Sequence, residues 1–324
     1  MLYPFVFNPI FKDRIWGGRE LERLYSKKIP SGKPTGEAWE ISDRPGDTSV
    51  IANGPLAGKD LRWLMEQHAA DLLGTARPSV DGRFPLLCKI LDAREKLSLQ
   101  VHPPAHKAKE LNGDPKTEMW FIADATPDAS LYVGLCPGVT RADFERKITD
   151  GTVAECFHRI PVQAGDTMFL PSGRVHAIGD GLVIFEIQQN SDTTYRVFDW
   201  NRVGLDGKPR ELHVPQSLAS IDFSDFEPKL VDTKFVSEGK IQKRILVHDP
   251  LFKVDAWSLN PGAVGQFKAK TLQIVAVTSG KVEVKSDDTT VTLKAGQFGL
   301  IPASLDKTEV SVTSDAALLH VEAR

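Results

Sequence analysis

Gln100 and His102 stand two residues apart in the run LSLQVH (97–102). On an extended strand, side chains at i and i+2 point to the same face. An amide oxygen and an imidazole can thus be presented side by side. Glu118 opens the next apolar run, completed by MWFIADA (119–125), and His176 follows the turn-rich stretch PSGR (171–174). One amide, two imidazoles and one carboxylate make a donor set for a borderline divalent ion. Zinc suits it, one ion per chain, and manganese, cobalt or iron are compatible. Lys116 lies two residues before Glu118, so it can face the same cavity. Near a dication its ammonium form is disfavoured, which would lower its pKa towards a useful range. Lys89 interrupts the apolar run FPLLCKIL (84–91), where burying a charge without purpose is costly.

The elements that must position these residues are short and strand-like. Besides the runs above, ASLYVGL (129–135), DTMFLP (166–171) and LVIFEIQQ (182–189) are rich in Val, Ile, Leu and Phe and bounded by Gly, Pro, Asp or Asn. Many short strands with turn signals between them predict a sandwich or barrel, a mainly β fold. Helical spacing is confined to 59–73, to 104–111 with Pro at its first turn, and to 141–150 with Thr140 as N-cap. A polar stretch between about 225 and 242 separates this region from a second series of strands. The reading is therefore two domains, residues 1–235 with the candidate site and 240–324 as a smaller β-domain.

A weak internal repeat connects the two. GDTMFLPSG begins at Gly165 and GQFGLIPAS at Gly296; each has a Pro six residues after the Gly. The first copy leads to His176. The equivalent place in the second is Lys307, so the second domain is expected to lack a metal site.

Gly165-x5-Pro171-x-Gly173-x2-His176 matches the second cupin motif. The first motif is met less well: Gln100 stands where a histidine is usual, and the upstream glycine is absent. With that departure, QVHP (100–103), KTEMW (116–120) and GDTMFLPSGRVHAI (165–178) resemble type I mannose-6-phosphate isomerases. So do NPIFKDRIWGG (8–18), GEAWEISD (36–43), VIANGPLAG (50–58) and TTYRVFDWNR (193–202). The likeness is to the short bacterial branch and runs from residue 4 to about 220.

The resemblance implies two cupin-type jelly-roll barrels with a small helical insertion, and interconversion of mannose 6-phosphate and fructose 6-phosphate through an enediol. It implies metal ligands at Gln100, His102, Glu118 and His176, an essential arginine at Arg196, and a lysine at Lys116. Asp192 matches an acidic position proposed to handle protons; Lys116 and a metal-bound water are its rivals. Phosphate-side contacts fall on Lys89, Ser98 and Arg202, the last a lysine in the longer branch. The large helical domain of longer members has no counterpart here. Two other readings compete: an iron-dependent dioxygenase built on the His–His–Glu set, and a non-catalytic sugar-binding cupin.

Composition limits the partners. The 324 residues carry 40 Lys and Arg against 43 Asp and Glu, a net charge of −3. No basic excess exists to hold nucleic acid or an anionic membrane. Cys88, Cys136 and Cys156 are odd in number and far apart, which argues against a disulfide framework. The N-terminus has no signal-peptide pattern, so the cytoplasm is the expected compartment. The expected partner is a small sugar phosphate, bound by a monomer or homodimer. Trp16 and Trp39 could line the mouth of the site, but packing in the core is the favoured expectation.

Overall fold

The computed structural model describes residues 2–287 and 289–324. The chain divides into two compact units. One comprises residues 11–38 and 89–231, the other residues 1–10, 39–88 and 232–324.

The site-bearing unit is built on two sheets. The six-stranded sheet runs in the order Ile10–Gly18, Thr35–Ile41, Leu86–Ala93, Leu182–Gln189, Glu118–Ala125, Thr167–Leu170. The five-stranded sheet runs Tyr195–Phe198, Leu99–Val101, His176–Ile178, Ser130–Leu135, Phe157–Pro161. Trp120, Ile122, Met168 and Ile184 from the first sheet meet Leu131, Val133 and Ile178 from the second in one buried cluster. The core therefore lies between the sheets, as in a jelly roll. On the other face of the five-stranded sheet, Leu99, Val101, Val175 and Ala177 pack with Phe144 of the helix Arg141–Asp150. Thr140 caps that helix, its side chain accepting from the Asp143 N–H at 3.1 Å.

This division fixes the facing of the polar residues. Leu99 and Val101 pack outward, so Ser98, Gln100 and His102 turn inward. Trp120, Ile184 and Leu91 pack inward, and Glu118, Glu186 and Lys89 follow them by strand alternation.

In the other unit, the six-stranded sheet is ordered Val236–Glu238, Ile241–His248, Phe252–Leu259, Ala316–Ala323, Gln273–Ser279, Phe298–Ile301. A four-stranded sheet faces it across Trp257, Val275, Val284, Val310 and Leu318. The repeat is visible in the register: Leu170 pairs with Glu118, and Ile301 pairs with Gln273. Gln273 thus stands where the site-bearing unit has its carboxylate, and Lys307 is exposed.

The expected cut between 235 and 240 falls close to the unit boundary at 231/232, but the units are discontinuous in sequence. Phe5 and Leu300 exchange two backbone hydrogen bonds of 2.8 Å, covering the edge strand Phe298–Ile301. The helix Leu61–Leu73, capped by Asp60, accepts from the Ala303 N–H through Leu72 O at 3.0 Å. These pairings join segments far apart in the chain. Among the described residues, no helix is long and apolar enough to cross a membrane.

Candidate metal centre and cleft

Three elements deliver the candidate ligands. In register, His176 lies opposite Gln100, and Gln100 lies opposite Arg196 on its other side. Gly173, at φ +93°, makes the turn that returns the chain to the sheet, and its N–H donates to His102 O at 2.9 Å. The loop ahead of His176 and the end of the Gln100 strand are therefore tied together.

His102, Glu118 and His176 are buried, and one candidate ligand atom from each lies within 4.8 Å of the others. Glu118 Oε1 is 3.4 Å from His176 Nε2, and Glu118 Oε2 is 3.6 Å from His102 Nε2. The Nδ1 atom of His102 donates to Thr193 O at 2.7 Å, and that of His176 to Arg174 O at 2.9 Å. Both protons are thereby held on Nδ1, which leaves the Nε2 lone pairs turned towards Glu118. The Gln100 amide N–H donates to His176 Nε2 at 3.3 Å. Rotating that amide by half a turn places its oxygen in the same spot.

His102 Nε2 and both Glu118 oxygens are buried without a hydrogen bond of acceptable geometry. Lys116 Nζ is 2.7 Å from Glu118 Oε2, but as an ion-pair contact. Orphaned buried acceptors converging on one point are what a divalent cation would satisfy. The residues present fit such an ion.

The electrostatics are those of a dry site. Burial pushes His176 down to about 3. Burial and then Lys116 lower His102. Both imidazoles are therefore neutral and able to ligate. Burial opposes ionisation of Glu118, but its neighbours, the Lys116 ammonium first among them, outweigh it and hold the carboxyl well below its usual range. Burial also opposes the Lys116 ammonium; Glu118 and Glu186 overcome that and raise it. The two carboxylates thus work against the lowering expected of Lys116 beside a dication.

A cleft of about 590 Å³ opens beside this centre. Of the residues singled out from sequence, Gln100, Lys116, Lys89, Ser98, Asp192 and Arg196 line it. Trp16 is both buried and at its wall; Trp39 lies in the core. Arg202 is not on the cleft: its Nη2 donates to Asp199 Oδ1 at 2.8 Å.

Sequence reasoning missed Glu186, Glu37, Arg14 and Arg210, all at the cleft. Glu186 is buried 3.4 Å from Lys89 and 3.9 Å from Lys116, and accepts from Trp120 Nε1 at 3.0 Å. Burial raises its pKa, against Lys116 and Lys89. A signal was present: Glu186 breaks the run LVIFEIQQ as Lys89 breaks FPLLCKIL. Glu37 receives Arg14 Nε at 2.6 Å and stands 3.6 Å from Lys89.

The model for the type I phosphomannose isomerase catalytic domain matches residues 5–120. The Bacillus subtilis mannose-6-phosphate isomerase ManA is 35% identical over 323 residues, spanning 98% of this chain and 99% of that one. The Streptococcus mutans mannose-6-phosphate isomerase is 34% identical over 94% of each chain. The crystal structure of a mannose 6-phosphate isomerase from B. subtilis has a TM-score of 0.90 at 33% identity, covering 99% of both chains. A phosphomannose isomerase variant from Salmonella typhimurium shares the fold, with a TM-score of 0.77 at 18% identity.

Proposed function

Because the chain belongs to the type I phosphomannose isomerase family, we propose that it interconverts mannose 6-phosphate and fructose 6-phosphate in the cytoplasm, with one zinc ion held by Gln100, His102, Glu118 and His176. The observation that carries this reading is the buried His102–Glu118–His176 cluster, with its unsatisfied His102 Nε2 and Glu118 oxygens, beside a cleft lined by lysine and arginine. A Lewis acid there would polarise the sugar carbonyl and stabilise negative charge developing on oxygen.

The protein's own groups account for the rest. Aldose–ketose conversion removes a proton beside a carbonyl and returns it one carbon along. Lys116 is held as an ammonium by Glu118 and Glu186. It is suited to donate to the sugar oxygens during ring opening and enediol formation. Asp192 is an exposed carboxylate on the cleft wall and the candidate to take the carbon-bound proton. Arg196 supplies a fixed positive charge for the enediolate. Lys89 and Ser98 are the candidate contacts for the phosphate. The expected division of labour leaves the 240–324 region structural, with Gln273 and Lys307 in the ligand positions.

The lysines and arginines around the cleft fit an anionic sugar better than a dioxygenase substrate. The test is a coupled assay that detects fructose 6-phosphate formed from mannose 6-phosphate. Chelation should abolish turnover, and zinc should restore it. A metal-replete sample that turns over no sugar phosphate would refute the isomerase reading.

A further inference from the structure

Arg196 is a half-buried guanidinium that makes no ion pair among the described residues; its Nη1 donates to Glu211 O at 2.7 Å, and its Nε is buried without a partner. Burial and the neighbouring charge of Arg210 both lower its pKa. Two guanidiniums beside one cleft, one of them lacking a carboxylate, form an electrostatic vacancy for an anion.

Arg210 is fixed rather than free. Its Nε donates to Asp199 Oδ2 at 2.6 Å, and its Nη2 to Asp199 Oδ1. The same carboxylate holds Arg202. Arg210 lines the cleft and Arg202 does not. The fork on Asp199 leaves Arg210 Nη1 without a hydrogen bond among the described residues. Asp206 is the acidic neighbour on this part of the wall, and its Oδ1 accepts from the Lys208 N–H at 3.1 Å within its own loop.

We infer that Arg210 is the guanidinium that binds the substrate phosphate in this chain, aimed by Asp199, with Arg196 beside it on the cleft left for the enediolate, while Arg202 braces Asp199 from outside. The inference rests on the isomerase reading for its substrate, but the anion site itself does not. Arginine suits the task because its planar fork can satisfy Asp199 on one edge and a phosphate oxygen on another.

The experiment compares Arg210→Ala, Arg210→Lys and Arg202→Ala in the full metal-replete chain. KM and kcat are measured with mannose 6-phosphate, and inorganic phosphate binding is measured by calorimetry. A thermal melt verifies that each variant is folded. Arg210→Ala should raise both KM and the phosphate Kd about tenfold or more, the loss of one charge-assisted contact. Its kcat should stay within about threefold, because uniform binding energy is what is removed. Arg210→Lys should recover part of both, and Arg202→Ala should move each by less than about threefold. The inference is overturned if Arg210→Ala leaves KM and phosphate Kd within about twofold. A fall in kcat at unchanged KM also overturns it, since the charge would then serve the reacting carbons. Failure of the wild type to turn over mannose 6-phosphate would sink the isomerase reading alone; the calorimetry would still decide the anion site.

Discussion

Lys116→Met removes the ammonium that lies between two buried carboxylates and leaves their burial in place. At an effective dielectric near 20, its gross attraction is about 6 kcal/mol to Glu118 at 2.7 Å and about 4 kcal/mol to Glu186 at 3.9 Å. Desolvating the ammonium takes back several kcal/mol of this. Breaking a buried pair from one side costs about 3–5 kcal/mol, so the metal-free variant should be destabilised by that amount. The sign of its pH dependence follows. Without Lys116, Glu118 loses the main charge that holds its pKa down, and Glu186 loses the first charge opposing its raised value. Carboxyls raised above their unfolded values contribute stability at low pH and lose it as pH rises. The deficit should therefore be smaller at pH 5 than at pH 8. A divalent cation replaces the missing charge, and zinc at a hundred times its Kd adds about 2.7 kcal/mol. It should also bind the variant more tightly than the wild type, because one positive charge has gone. Urea unfolding at both pH values, with and without zinc, tests each part. A loss below about 1 kcal/mol, or a deficit that grows on acidification, would show that Lys116 does not compensate the two carboxylates.

Two further expectations follow from the fold that supports the site. Burial raises the Asp92 carboxyl from 3.8 to about 6, although its Oδ2 accepts from the Glu20 N–H at 2.6 Å. Its contribution is full below the unfolded pKa and is lost as pH rises through about 6, a swing of about 3 kcal/mol. Asp92→Asn, which keeps an acceptor, should therefore gain on the wild type between pH 4 and pH 8 in urea melts; a flat difference would contradict this. A Cβ at Gly179 would lie 2.1 Å from Ser130 O. Gly179→Ala should cost about 1–3 kcal/mol and displace the adjoining strand His176–Ile178, lowering metal content along with stability. A variant with wild-type Tm and full metal occupancy would show that the strand absorbs the clash.

The features legible in the residue order alone are local. The i, i+2 spacing of Gln100 and His102 required a shared face once the segment was extended, and the Gly165–Pro171–Gly173 pattern required a turn ahead of His176. Short-range sterics and strand alternation settle such features without knowledge of the partner strands. The intruding Lys89 announced a compensated charge for the same reason, and Glu186 carried the same signal unread. The pairings were not legible. Nothing in the spacing of residues 1–10 reveals that Phe5 pairs with Leu300. Nothing in the 193–211 stretch reveals that Asp199 forks Arg210 onto the cleft and holds Arg202 off it. Nor does residue type give the charge state of Lys116, which depends on two carboxylates brought within 4 Å by separate strands. These are long-range consequences of sheet register and burial. Coulomb and desolvation energies depend on distances that exist only after the chain has closed on itself.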